Sequence, residues 1–467
     1  MKPTWKAFVI SSLAISIFAG LSGRSIAAAR TEEKPSLDPA FLKFVSEKEA
    51  LAKSLAEKYQ VATPKAVSNF FDSVRKGDWV GTSNLFYSIE RGSGRRGDPA
   101  WFPVQLWGPI HETFGTYEQF HTWHPNLLHK FGREIIESIP PGSIYLGGTD
   151  AGRFVISSLC KSHTAGQPFF TITQNALADG SYLEYVRAVY GKTITILSLQ
   201  DSQKWFQEYL SDAQARLARS QLDENEEVSI VDGRVQVSGE TAVMRINERM
   251  VAVLLEKNPE REFYMEESFP LKGLYSNSLP HGLILKIAHR PLERMPESII
   301  ETDREYWRGQ MRSLTGETFD HGGITEVCSW AQKTYVRSNL TDFAGNRLYV
   351  KDQQAPQYYS QCRSAIASLY QWRAKQSQDK ADTLMLTKEA DLAHRQAVAL
   401  SPFNPTVVWR YSSFLLSERR TNDAKVLIQA TLDIDPVTRM DVDSETLKRS
   451  LAKIQNTAHE LHVTKRN

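Results

Sequence analysis

The chain has 467 residues, 41% of them hydrophobic and 24% charged, with a formal net charge of +2. That length predicts two or three domains, and the composition excludes disorder as the default state. The near balance of charge argues against nucleic acid as a partner, because a nucleic-acid footprint needs a concentrated basic face.

At the N-terminus, Lys2 and Lys6 precede an apolar run, Ala7–Leu21, and then "SGRSIAAAR". Ala27 and Ala29 form an A-x-A cleavage site, so residues 1–29 are expected to be a signal peptide. The run of about 15 residues falls short of the roughly 20 that span a membrane. No Cys follows it, which argues against a lipid anchor. The expectation is a periplasmic or secreted protein with no membrane span after cleavage. Among the three cysteines, Cys328 and Cys362 share a helical region and are the pair that an oxidising compartment would join, with free thiols as the equal alternative. Cys160, on an apolar helix face, reads as a buried free thiol.

After the signal, Pro39–Tyr59 carries apolar residues at helical spacing. Thr63–Glu90 reads as a helical hairpin, with Thr63 as N-cap, Pro64 at the first helical position, and Gly77 and Asp78 in the turn. The segment "ERGSGRRGD", Glu90–Asp98, has Gly and Ser among its basic residues and reads as a solvated loop rather than an anion site. The aromatic-rich stretch Trp101–Ser138 also reads as helical.

From Pro140 the pattern changes. Strand-like "SIYL", "PFFTIT", "KTITILS", "REFYMEES" and "GLILKI" alternate with helical runs near 151–161, 179–190, 202–220, 239–256 and 296–314. "VSIVDGRVQVSG" reads as a hairpin about Asp232-Gly233. The alternation predicts α/β plus all-α: a central Rossmann-like, largely parallel sheet, flanked by an N-terminal helical module and a C-terminal helical array. The expected boundaries are 30–138, 139–314 and 315–467.

Ligands of open α/β sheets sit beyond the carboxyl ends of the strands. Three junctions carry polar groups there: Gly147-Gly148-Thr149-Asp150, Gln174-Asn175 and Glu266-Glu267-Ser268. Gly148, Thr149, Asp150, Asn175 and Glu266 are therefore the candidate ligand-binding residues, with helix capping and turn-making as the structural alternative. No G-x-G-x-x-G, P-loop, G-x-S-x-G or H-E-x-x-H motif is present, so no cofactor is expected and no catalytic residue is assigned. Glu266 and Glu267 are adjacent on a strand and point to opposite faces, which weakens them as an acid/base pair. Among His111, His121, His124 and His129, only His121 and His124 are spaced to share a helix face as metal ligands, and Pro125 ends that helix. Aromatic residues at 114, 117, 120 and 123 mark that face as a packing surface.

In the C-terminal part, aligning "EADLAHRQAVALSP" with "NDAKVLIQATLDIDP" sets Ala390 over Ala424, Ala397 over Thr431 and Pro402 over Pro436, each 34 residues apart. Pro405–Pro436 resembles one full tetratricopeptide repeat, with Trp409, Leu415, Ala424, Leu432 and Pro436 at its patterned positions. Thr431 and Ser412 replace the usual small residues. The whole chain is similar to exported tetratricopeptide-repeat proteins of verrucomicrobial type. "IPPGSIYLGGTDAGRF", "PFFTITQNAL", "YLEYV", "EREFYMEES" and "LPHGLILKI" together resemble the extracytoplasmic α/β tail of bacterial membrane proteins of the protein-mannosyltransferase type. The spanning helices that carry a lipid-linked-sugar active site have no counterpart here, so the resemblance assigns no transferase residue.

These readings lead to two expectations. The first is an exported, non-catalytic protein that binds a protein partner through its C-terminal helical repeats, in cell-envelope or surface-glycan assembly. The alternative is a binding protein or enzyme that takes a sugar or nucleotide-sugar, a small polar ligand, at the strand ends. In that case Asp150 and Asn175 are contacts and Glu266 or Glu267 is an acid or base.

Overall fold

The computed structural model describes residues 37–92, 102–222, 226–231, 234–434 and 445–461. The expected signal peptide with Ala27 and Ala29, positions 93–98 of the basic loop, the Asp232-Gly233 turn and Pro436 lie outside the described residues.

The N-terminal module is helical, as its periodicity predicts. Helix α1 spans Pro39–Tyr59 and buries Phe41, Phe44, Val45, Lys48, Ala52, Leu55 and Ala56, an i, i+3, i+4 stripe. Asp38 caps it, accepting the Ala40 N–H at 2.8 Å. Helices α2 (Lys65–Arg75) and α3 (Trp79–Gly92) form the hairpin. Gly77 turns it with φ +67°, and Asp78 accepts the Gly81 N–H at 2.9 Å. Pro64, not Thr63, stands at the cap of α2, with no side-chain bond. Helices α4 (Trp107–Thr122) and α5 (Pro125–Ser138) follow. Pro125 lacks the N–H that a continuous helix would use and holds His124 extended, so the chain breaks between them.

Among the described residues, the central part holds seven strands: β1 Ile144–Gly147, β2 Phe170–Thr173, β3 Glu227–Val231, β4 Arg234–Ser238, β5 Phe263–Glu266, β6 Ser278–His281 and β7 Ile284–Ile287. Five form one sheet in the order β2-β1-β5-β7-β6. Its β2, β1 and β5 are mutually parallel, and β7 pairs antiparallel with both β5 and β6, so that β6 runs in the direction of the first three. The sheet is thus mixed but mostly parallel, β7 being the strand that runs against the other four. The edge strand β6 contains Pro280, which an edge tolerates because only one side needs a donor. β3 and β4 pair only with each other, in the expected antiparallel hairpin.

"KTITILS" is not a strand. Asn258 takes the place of a neighbouring strand there: its Oδ1 accepts the Thr195 N–H at 2.8 Å and its Nδ2 donates to the Thr195 carbonyl at 2.9 Å. After β1 the chain makes a π-helical turn over Ala151–Val155 and then a short helix α6, Ile156–Leu159. Helices α7 (Gly180–Tyr190), α8 (Leu199–Ala218), α9 (Glu240–Lys257) and α10 (Glu297–Thr315) complete this part. Ser198 and Asp201 form a reciprocal capping box at the start of α8.

The remainder is helical: α11 Ile324–Ala331, α12 Arg347–Lys351, α13 Ala355–Gln376, α14 Lys380–Leu400, α15 Pro405–Ser417, α16 Thr421–Ile434 and α17 Glu445–Glu460. Ala390, Ala397, Ala424 and Thr431, the aligned positions of the 34-residue spacing, are all buried. The array is welded to the sheet. Arg363 of α13 donates to Asp303 of α10 at 2.8 Å, with both side chains buried, and Tyr370 donates to the same carboxylate at 2.9 Å. Arg373 donates to the carbonyls of Leu292 and Ser276, each at 2.6 Å. One continuous apolar core runs from Phe41 to Ala458, so these parts stabilise one another.

Candidate functional site

Parallel register sets Gly147 level with Thr173 on one side and Glu266 on the other, so the three polar junctions leave the sheet at one end. They then divide into two groups.

Gly148, Thr149 and Glu266 form an internal knot. Glu266 Oε2 accepts the Gly148 N–H at 2.9 Å and the Thr149 N–H at 2.7 Å. Burial pushes its carboxyl up, against the pull of those amides. A Cβ at Gly148 would stand 2.3 Å from Gln174 Oε1 and 2.5 Å from the Glu266 carbonyl. The glycine therefore serves the approach of the chain to itself. The amides that would cradle an anion in a nucleotide-binding loop are filled by the chain's own carboxylate. Glu267 points elsewhere: it accepts from Tyr275 at 3.0 Å and from the Leu271 N–H at 3.4 Å, and burial pushes it up to about 7.

Asp150 and Asn175 do meet in one cleft, of about 140 Å³, between the strand ends and the helical module. Asp150 makes no cap bond to its own turn. Its Oδ1 instead receives Arg153 Nε at 3.1 Å and Nη2 at 2.5 Å. Asn175 is 3% exposed, its Nδ2 donates to the Gly148 carbonyl at 3.2 Å, and its Oδ1 has no donor among the described residues. The bond from Nδ2 orients the amide, leaving a buried acceptor without a partner among the described residues. Such a group is costly unless water or a ligand satisfies it.

The opposite wall comes from α3 and α4. Phe86 stacks on Phe114 with centroids 3.9 Å apart and on Trp107 at 5.3 Å. His111 lies beside Trp107, and burial followed by the nearby Arg153 charge lowers it to about 4, so it is neutral at physiological pH. The floor is a buried polar cluster. Lys48 from α1 bonds Glu112, reaches His163 Nδ1 at 2.6 Å and donates to Tyr185 at 3.2 Å. Tyr185 donates on to Glu112 at 2.7 Å. Three ammonium donors thus find three acceptors. Burial lowers Lys48 and His163, the latter to about 3. Burial also works to raise Glu112, but the Lys48 charge prevails and holds it below its ordinary value. His163 is therefore neutral at physiological pH.

The four clustered histidines separate. His111 faces the cleft, His121 stacks on Trp79 at 4.7 Å, His124 accepts the Asn126 N–H, and His129 bonds Asp38 at 2.7 Å. His121 and His124 hold no common site, and no group of three or more metal-ligating side chains comes together among the described residues. Cys160, Cys328 and Cys362 are all buried and free, so the Cys328–Cys362 bridge is not formed. No helix among the described residues is long and apolar enough to cross a membrane.

No family model, curated protein or solved structure matches the chain.

Sequence reasoning found Asp150 and Asn175 but missed Lys48, Glu112, Arg153 and Tyr185. Two signals were present. Lys48 interrupts the apolar stripe of α1, and Arg153 follows Asp150 at the i+3 spacing of a helical ion pair.

Proposed function

We propose that the protein binds a small, hydroxyl-rich ligand, a sugar-like ring, in the strand-end cleft. The observation that carries this reading is the meeting of Asp150 and Asn175 in one cleft with the aromatic side chains Phe86, Trp107 and Phe114. Apolar ring edges pack against the C–H side of a sugar ring, and carboxylate or amide groups in the same cleft take its hydroxyls. The occupied Gly148–Thr149 amides favour a ligand without phosphate over a nucleotide-sugar. A thermal-shift screen of neutral sugars tests the proposal. A ligand at 100 times its dissociation constant adds about 2.7 kcal/mol of stability. The shift should vanish in Asn175→Ala; a shift unchanged in that variant rejects the cleft.

The tetratricopeptide resemblance supports a second reading, a protein partner held by the helical array in envelope or surface-glycan assembly. It is favoured by an open groove of about 580 Å³ between α10 and the array, where Arg304, Arg308, Arg395 and Arg420 are interleaved with carboxylates. A partner released by Arg420→Glu and retained by Asn175→Ala supports this reading, and the converse removes it. Export is part of both proposals; an N-terminus at Arg30 on the protein isolated from the cell envelope is the expected result.

A further inference from the structure

This inference rests on the second reading, a protein partner held at the groove between α10 and the array, and names that partner's chemistry. Lys388 lines the groove with the arginines, and its carboxylates are Asp320, Glu389, Asp391 and Glu418. By number the two signs nearly cancel. They do not lie at one depth.

In three ion pairs the guanidinium is the outer member and the carboxylate the inner one. The Arg304 side chain is 37% exposed against 7% for Glu389, Arg308 37% against 15% for Asp320, and Arg420 36% against 20% for Asp391. The inner carboxylates hold the arginines from behind and leave donors over. Arg304 uses Nη2 on Glu389, and Arg308 uses Nε on Asp320. Arg420 uses Nε on Asp423 and Nη1 on Asp391. Nε and Nη1 of Arg304, both Nη atoms of Arg308 and Nη2 of Arg420 have no acceptor among the described residues, and each is open to solvent. Lys388 is exposed and enters no ion pair among the described residues; Glu418 is likewise exposed and offsets one of these charges.

The outer layer of the groove is therefore cationic and rich in donors, and guanidinium forks match carboxylates. Arg304 and Arg308 stand four residues apart on α10, a rise of about 6 Å. Alternate residues of an extended chain are about 6.7 Å apart and point to one side. The inner carboxylates and Glu418 interrupt the long basic face that a nucleic-acid backbone needs.

We propose that the groove takes an extended acidic segment of a partner protein, with carboxylates at alternate positions set against Arg304 and Arg308.

The test is fluorescence anisotropy of labelled probes with the full chain: an alternating Glu-Ala peptide, its Gln-Ala counterpart, a peptide with the same glutamates at every third position, and an oligothymidylate. At low salt the alternating Glu-Ala peptide is expected to bind about tenfold more tightly than Gln-Ala, with the margin shrinking as salt is raised. It should also bind more tightly than the third-position peptide. Equal affinity for Glu-Ala and Gln-Ala overturns the inference, as does preference for oligothymidylate. Equal affinity for the two glutamate spacings overturns the register on Arg304 and Arg308. Binding by none of the probes overturns the acidic segment, while the groove reading keeps its own test in the partner's release by Arg420→Glu.

Two double variants tie the result to these residues. Arg304→Gln with Glu389→Gln, and Arg308→Gln with Asp320→Asn, each delete an ion pair without changing net charge and without stranding a carboxylate. Each should weaken the Glu-Ala peptide about fivefold. An affinity unchanged in both, with the circular dichroism spectrum unchanged, overturns the assignment.

Discussion

His394 is fully buried in the helical array, stacked on Tyr411 with centroids 5.5 Å apart, and neither ring nitrogen has a hydrogen-bond partner among the described residues. Burial, and then the charges of Arg410 and Arg363, lower its pKa to about 3. The unfolded chain protonates this ring near 6.5, whereas the folded chain resists until about 3. Between those values unfolding takes up a proton. Its contribution to stability is therefore complete above 6.5 and is lost as pH falls, at about 1.4 kcal/mol per pH unit. His394→Phe keeps the ring and removes the titration. Urea midpoints at pH 7.5 and 5.5 should show the variant losing about 1 kcal/mol less than the parent on acidification; equal losses would refute this. Glu266 offers a second residue-scale test. Glu266→Gln retains an acceptor for the Gly148 and Thr149 amides and should cost under about 1 kcal/mol, while Glu266→Ala strands two buried donors and should cost about 2 kcal/mol or more. Thermal denaturation of both variants separates the outcomes.

Helix α1 is the element whose apolar stripe contains a lysine, and the reason lies in other elements. Lys48 is completed by Glu112 on α4, by His163 in the loop after α6 and by Tyr185 on α7. The cluster ties the helical module to the α/β part beneath the cleft. Lys48→Met leaves Glu112 buried without its counter-charge and should cost about 3–5 kcal/mol, whereas Lys48→Met with Glu112→Leu should recover most of that loss. A double-mutant cycle by denaturant unfolding checks it; additive losses would mean that the pair does not couple. Periodicity predicted α1 correctly because an amphipathic stripe is a local property. It gave no partner for Lys48, since those partners are 64 to 137 residues away.

Across the whole molecule, the helical array and the sheet share buried polar ties as well as core. Asp303 receives both Arg363 and Tyr370, and Arg373 satisfies carbonyls at the sheet edge. These parts are expected to unfold in one cooperative calorimetric transition. Asp303→Ala, which strands a buried guanidinium, should lower that single transition by about 3–5 kcal/mol of stability. A separate early transition for the array, with the rest unmoved, would show that the shared core does not couple them.

The residue pattern by itself determined the helical module, the alternation of strands and helices, the β3–β4 hairpin and the buried positions of the 34-residue spacing, because each depends on neighbours within one or two turns. It also placed Asp150 and Asn175 at strand ends, and parallel register then brought those ends together. Three features were decided only by tertiary structure. Asn258 replaced a strand partner for Thr195, so an apolar run with strand spacing stayed irregular. Glu266 turned into the Gly148–Thr149 amides and left the cleft. The aromatic side chains of α3 and α4 came to line the same cleft as Asn175. Each is a meeting of side chains from distant segments, set by how whole elements pack, and no local period encodes it.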